Sequence, residues 1–196
     1  MKRTKHLLFY TFLNLAFLSY NAQSSSIDDT FYSIKEALLD IENAKILNLS
    51  KQKLNSFPIE ILQLRNLEKL DLSKNKLEKV PKGINALKQL EHLDLSKNKF
   101  KQFPKEITSL KSLKVLIINR NEIDSIPDEI SQLQQLNKFD LWSNEIGYVT
   151  NKIKELEELK ELDLRVIQFS EDEQRRIHSL LPNCEIYFSN SCNCGY

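Results

Sequence analysis

Glycine is scarce, three in 196 residues, so the chain has no glycine-rich loop able to cradle a phosphate. The three cysteines, Cys184, Cys192 and Cys194, all lie near the C-terminus, and with His178 they match no familiar zinc-ligand spacing. No metal site or cofactor is expected. Neither sign of charge dominates: 28 basic against 27 acidic side chains give a formal +1. Without a clear basic excess to neutralise phosphates, the balance argues against nucleic-acid binding. The long apolar run, Leu7 to Tyr20, falls short of the ~20 residues that a bilayer-spanning helix needs.

That run follows Lys2, Arg3 and Lys5 and precedes Asn21, Ala22, Gln23 and three serines. A basic start, an apolar centre and small residues predict a secretory signal peptide over residues 1–22. Cleavage is expected after Ala22, with Ser24 as the alternative because Tyr20 is bulky for its place. An uncleaved anchor is the competing reading. No cysteine follows the run, which speaks against a lipoprotein. The mature chain then has no integral membrane span and is exported: secreted, periplasmic or at the cell surface.

What the chain has in quantity is repetition. Leu67 to Gln89 reads LEKLDLSKNKLEKVPKGINALKQ, and Leu90 to Ser112 reads LEHLDLSKNKFKQFPKEITSLKS, in the same frame. Leu113 to Gln135, LKVLIINRNEIDSIPDEISQLQQ, continues it. The unit is L-x-x-L-x-L-x-x-N-x-L-x-x-x-P-x-x-I-x-x-L-x-x, and units begin at Ala44, Leu67, Leu90, Leu113, Leu136 and Leu159. Gln52 stands in for the asparagine of the first, Thr150 for the proline of the fifth, and Ile167 for the asparagine of the sixth. A period of 20 to 29 residues on such a frame predicts a solenoid whose units each supply a short strand plus a turn. The leucines point inward, and no unit can bury its apolar face alone. Asn75, Asn98, Asn121 and Asn144 are read as an amide ladder satisfying backbone groups in the turn.

The ends are expected to be lids. Ser33 to Glu36 reads as a capping box before Ile34, Ala37, Leu38 and Ile41 at helical spacing. Ser170 to Glu173 repeats the box before Ile177, Leu180 and Leu181, and Glu185 to Phe188 reads as a last strand. The organisation is thus a signal peptide over 1–22, a linker and helical cap over 23–43, repeats over 44–169, and a C-terminal cap with a cysteine-containing tail over 170–196.

Function is sought where side chains point outward. The fourth strand, Lys114-Val115-Leu116-Ile117-Ile118, is apolar on both faces, a pattern expected only where both are covered. Beside it stands Trp142, the one tryptophan. Val115, Ile117 and Trp142, rimmed by His92, Arg120, Asp140, Asp163 and Arg165, have the anatomy of a binding hot spot. His92, Asp94 and Ser96 suggest a hydrolase triad, but residues four apart along a strand are separated by ~13 Å, too far for a nucleophile and its base. A row of lysines, Lys51, Lys53, Lys74, Lys76, Lys97 and Lys99, could steer an acidic partner.

The whole mature chain resembles secreted bacterial leucine-rich-repeat proteins with 23-residue units. The resemblance implies an α/β fold: a right-handed horseshoe of about six repeats with a parallel β-sheet on its concave face. It also implies protein binding without catalysis, since the motif supplies scaffold residues only. The partner is then a protein of unknown identity held by the concave face; an adhesive envelope component that binds glycan through Trp142 is the alternative. In an exported chain Cys184 is expected to pair with Cys192 or Cys194.

Overall fold

The computed structural model describes residues 29–189; the expected signal peptide, Cys192 and Cys194 lie outside the described residues. In chain order the elements are β1 (Thr30–Phe31), α1 (Ile34–Leu39), β2 (Ile46–Asn48), β3 (Lys69–Asp71), β4 (His92–Asp94), β5 (Val115–Ile117), β6 (Ser125–Ile126), β7 (Lys138–Asp140), β8 (Tyr148–Val149), β9 (Glu161–Leu164), α2 (Glu171–Leu180) and β10 (Glu185–Phe188). Eight of these strands form one parallel sheet in the order β1-β2-β3-β4-β5-β7-β9-β10, and β6 pairs with β8 in a second, two-stranded sheet. Between successive strands of the large sheet the chain makes 3₁₀ turns at Ile59–Gln63, Lys82–Ala86, Lys105–Ser109, Asp128–Gln132 and Asn151–Glu155. This is a leucine-rich-repeat solenoid of the kind its sequence pattern implies.

The 23-residue period becomes register. Leu47 pairs with Leu70, Leu70 with Leu93, Leu93 with Leu116, Leu116 with Phe139, and Phe139 with Leu162. These side chains stack into one continuous core and are at most 1% exposed. Each buried leucine contributes about 1.5–3 kcal/mol. Ile61, Ile84, Ile107, Ile130 and Ile153 form a parallel stack under the 3₁₀ turns, all fully buried.

The amide ladder stitches each turn to the one before it. Asn98 Nδ2 donates to Leu72 O and Leu95 O, both at 3.0 Å, while its Oδ1 accepts from Leu77 N–H at 2.9 Å. Asn75, Asn121 and Asn144 repeat the pattern. Pro58, Pro81, Pro104 and Pro127 each sit at the N-cap of a 3₁₀ turn in extended conformation. Thr150 takes the same place in the fifth repeat, and its hydroxyl accepts the Lys152 N–H at 3.1 Å. A hydroxyl acceptor thus does there what a fixed φ does elsewhere.

The ends differ from expectation in detail. β1 pairs in parallel with β2 and was not legible: two residues are too few to show a strand period. Ser33 makes no side-chain bond as N-cap of α1; the short helix is held by Ala37, whose N–H donates to Ser33 O at 3.1 Å and whose side chain is fully buried. At the far end Ser170 Oγ does accept the Glu173 N–H, at 3.2 Å. The Glu173 carboxylate does not complete the box, because Arg176 engages it at 2.6 Å. Arg176 also donates to Val149 O at 2.6 Å, fastening α2 to the fifth repeat. No helix among the described residues is long and apolar enough to cross a membrane.

Candidate functional site

The outward face of the large sheet consists of columns set by the same register. One runs Lys69, His92, Val115, Lys138, Glu161 and Glu185; the next runs Asn48, Asp71, Asp94, Ile117, Asp140, Asp163 and Tyr187. The acidic column has a local job. Asp71 Oδ1 accepts the Ser73 N–H and Asp94 Oδ1 the Ser96 N–H, both at 2.8 Å; Asp140 accepts from Trp142 at 3.1 Å and Asp163 from Arg165 at 3.0 Å. Asn48 does the same for Ser50. Each is an Asx turn that bends the chain out of its strand. Every repeat then places a non-glycine residue at positive φ: Lys51, Lys74, Lys97, Arg120, Ser143 and Val166.

Ile117 is the exception in this column. It offers no acceptor, and with Val115 two residues earlier it turns an apolar surface outward from β5. Both are half-buried, as is Trp142. The Arg120 guanidinium lies over the Trp142 ring, 4.2 Å from its centroid, a cation–π stack that holds both side chains in place.

The structure therefore joins some of the predicted residues and separates others. His92 is the register neighbour of Val115, and Ile117 lies between Asp94 and Asp140. The rim carboxylates are already occupied. Asp140 Oδ2 accepts from Asn119 Nδ2 at 2.7 Å. Asp163, 6% exposed, takes a forked bond from its neighbour Arg165, with Nη2 at 2.6 Å and Nε at 3.0 Å. Arg165 also lies 5.7 Å from the Tyr187 ring. The sequence reading missed Tyr187; carrying the column one strand past the sixth repeat, onto β10, would have found it.

Burial favours the neutral forms of Asp94, Asp140 and His92. Burial raises the Asp94 carboxyl above the ordinary carboxylate value, only partly offset by hydrogen bonds from Ser96. Asp140 is raised by burial too, with the Asp163 charge adding to it. The His92 imidazole is lowered, first by burial and further by the Lys69 charge, against the pull of Asp94. No hydrogen bond joins His92 to Asp94 or Ser96 among the described residues, so these three are not arranged as base against nucleophile. A shallow groove of about 560 Å³ flanks Val115, lined by Lys114, Gln135, Asn137 and Glu158.

Cys184 is half-buried, and burial, with Glu161 and Glu185 nearby, pushes its thiol up to about 11. His178 packs edge-on against Phe188 at 5.4 Å in the C-terminal cap.

A family model described as a leucine-rich repeat region matches residues 84–182, and a second, described as a leucine-rich repeat, matches residues 42–100. Among solved structures, a leucine-rich-repeat protein of Leptospira interrogans is 36% identical with a TM-score of 0.62, over 74% of this chain and 43% of that one. Internalin C2 of Listeria monocytogenes is 20% identical with a TM-score of 0.62, over 75% of this chain and 62% of its own. The ectodomain of an Arabidopsis thaliana membrane receptor kinase, solved in complex with Casparian strip integrity factor 2, is 24% identical with a TM-score of 0.60, over 75% of this chain and 18% of its own. The chain thus spans less than two thirds of each of these proteins. The latter two likenesses carry the fold alone. No curated protein sequence matches the chain.

Proposed function

Because the chain belongs to the leucine-rich-repeat family, we propose that it is an exported bacterial recognition module without catalytic activity, which binds a protein through the outward face of its large sheet. The observation that carries this reading is the break at β5. Where five of the six repeats have an aspartate or asparagine closing an Asx turn, the fourth has Ile117, and Val115 and Trp142 extend the apolar surface beside it. A contiguous half-buried apolar centre inside a charged rim fits a hot spot. The six repeat strands together span about 25 Å, room for one helix, strand or loop of a partner. The plant receptor ectodomain solved with a bound factor supports a proteinaceous ligand by analogy of fold.

Arg120 covers one face of Trp142, which weighs against this ring as the open stacking platform that a sugar would use. Export rests on the basic and apolar start over residues 1–22, and in an oxidising compartment Cys184 would pair with Cys192 or Cys194. The test is a pull-down from envelope and culture fractions of the native cell. A protein retained by the wild-type chain and not by the Ile117→Asp, Trp142→Ala double variant supports the reading; equal retention by both rejects it.

A further inference from the structure

The groove beside Val115 lies on the rim where the chain enters its strands, and two departures from the repeat meet there. The residues immediately before the six repeat strands form a row: Lys45, Glu68, Glu91, Lys114, Asn137 and Lys160. Charged members of the row fill the rim by pairing across strands, Lys45 with Glu68 at 2.8 Å and Lys114 with Glu91 at 2.7 Å. Asn137 is the short, uncharged member, and its Nδ2 donates to Glu158 O at 3.4 Å. With no long side chain in that place the rim is open between the fourth and fifth repeats, and the groove of about 560 Å³ joins it to Val115.

The loop bounding the groove is the second departure. Its two residues are Arg65-Asn66, Lys88-Gln89, Lys111-Ser112 and Gln134-Gln135 in the first four repeats, and Glu157-Glu158 in the fifth. Both glutamates are exposed and neither forms an ion pair among the described residues. Lys114 is held by Glu91, Lys152 by Glu155 at 2.6 Å, and Lys160, two residues on, pairs with neither glutamate. A glutamate that served the scaffold would recur with it. A pair confined to the loop beside the apolar break on β5 belongs to the same surface as that break.

Resting on the reading of β5 as the binding face, we infer that the partner is a basic linear segment, which sets an apolar side chain on Ile117 and lays an arginine through this groove. The lining suits that side chain along its length. Val115 and the aliphatic stem of Lys114 offer a bed for methylenes, which a long cationic side chain covers while its charge stays in water. At the far end stand three acceptors: the Glu158 carboxylate, Asn137 Oδ1 and Gln135 Oε1, with the Glu157 charge beside them. A guanidinium brings five donors in one plane to such a set. An acidic side chain would be repelled there, and an apolar one would leave the glutamates without a counter-charge. Val115 and Ile117 are two residues apart on one strand, ~6.6 Å. The partner's arginine and apolar residue therefore stand about two apart in an extended segment or about four apart on a helix.

The test reads the chemistry of the partner directly. A random-peptide phage library is panned on the immobilised full chain, and clones that also bind the Ile117→Asp, Trp142→Ala double variant are removed. Peptides made from the remaining clones are titrated calorimetrically against the wild type, the Glu157→Gln, Glu158→Gln variant, Asn137→Lys, and a control, Glu60→Gln with Glu106→Gln, whose carboxylates stand on the 3₁₀ turns of the first and third repeats. The expected peptides carry an arginine about two to four positions from an apolar residue. Loss of the Glu157 and Glu158 charges weakens them about three- to tenfold at low salt, the size of one or two surface ion pairs, and flattens their loss of affinity between about 50 and 200 mM salt. Asn137→Lys, which sets a like charge in the groove, weakens them at least as far. The control binds as the wild type does, and unchanged thermal melts show that every variant is folded. Peptides without a basic residue, binding unaffected by either groove variant, or an equal loss in the control overturns the inference and leaves the β5 site standing. If no clone distinguishes the wild type from the Ile117→Asp, Trp142→Ala variant, the β5 reading itself fails and the inference falls with it.

Discussion

Replacing Ile117 by aspartate gives the fourth repeat the residue that the second, third, fifth and sixth already carry. In those repeats the carboxylate accepts the N–H two residues on at 2.8 to 3.1 Å, and the variant offers the same acceptor to Asn119. One such bond contributes about 0.5–1.5 kcal/mol. Against it stands the loss of a half-buried isoleucine side chain, about 1 kcal/mol. The new charge also falls between Asp94 and Asp140, its register neighbours, and like charges opposite one another cost up to about 1 kcal/mol per pair. The net destabilisation is at most about 2.5 kcal/mol, which lowers the melting temperature by no more than about 10 °C. Removing a hot-spot residue costs about 2 kcal/mol or more of binding, roughly 30-fold in Kd. Circular dichroism melts and titration against the captured partner read the two quantities separately. A fold nearly unchanged with binding lost is the expected result. A fall in Tm of more than about 10 °C would show Ile117 to be a core residue, and a Kd within about threefold of wild type would show that the partner sits elsewhere.

Other positions test the framework. Asn121→Ala removes the acceptor for the Phe100 N–H, at 3.1 Å, and the donors to Leu95 O and Ile118 O; leaving such buried groups unsatisfied costs about 3 kcal/mol, read as a lower urea midpoint at constant m. Val166 is β-branched, 59% exposed and at φ 60°, so Val166→Asn relieves strain without loss of packing and raises stability by about 1 kcal/mol in the same urea titration. Asp94→Asn keeps the Asx acceptor, as Asn48 shows, and removes a carboxylate whose folded pKa lies above the ordinary 3.8. A raised acid favours folding when protonated and loses that stability as pH rises through its folded value. The variant should therefore match wild type below pH 3.8 and exceed it at neutral pH; a gain that is flat across pH would show that Asp94 ionises freely.

The frame was legible because every core residue recurs. Leu70, Leu93 and Leu116 hold the same place in three units, and a repeat that buries them in one unit buries them in all. The asparagine ladder was legible for the same reason. The two-residue β1 was not: it is a strand only because β2 offers it an edge, and its residues carry no period of their own. Nor did the leucine and asparagine frame reveal what the turn does with its polar residues. Asp71, Asp94, Asp140 and Asp163 each close the turn that puts Lys74, Lys97, Ser143 or Val166 at positive φ, a job that the spacing of the repeat does not signal.

The candidate site shows the opposite limit. Val115 and Ile117 could be read as outward because strand alternation is local, and Trp142 because it breaks its column. The Arg120 stack on Trp142 and the Arg165 fork on Asp163 depend on side-chain directions, and no spacing rule supplies those. In a repeat chain the shared residues therefore describe the scaffold, and recognition has to reside in departures from them. Ile117 illustrates why the register must be known before a departure acquires meaning. Isoleucine alone is an ordinary residue for a buried strand; placed between Asp94 and Asp140, in a column whose other repeat members all close turns, it is a missing acceptor and an exposed apolar surface at once.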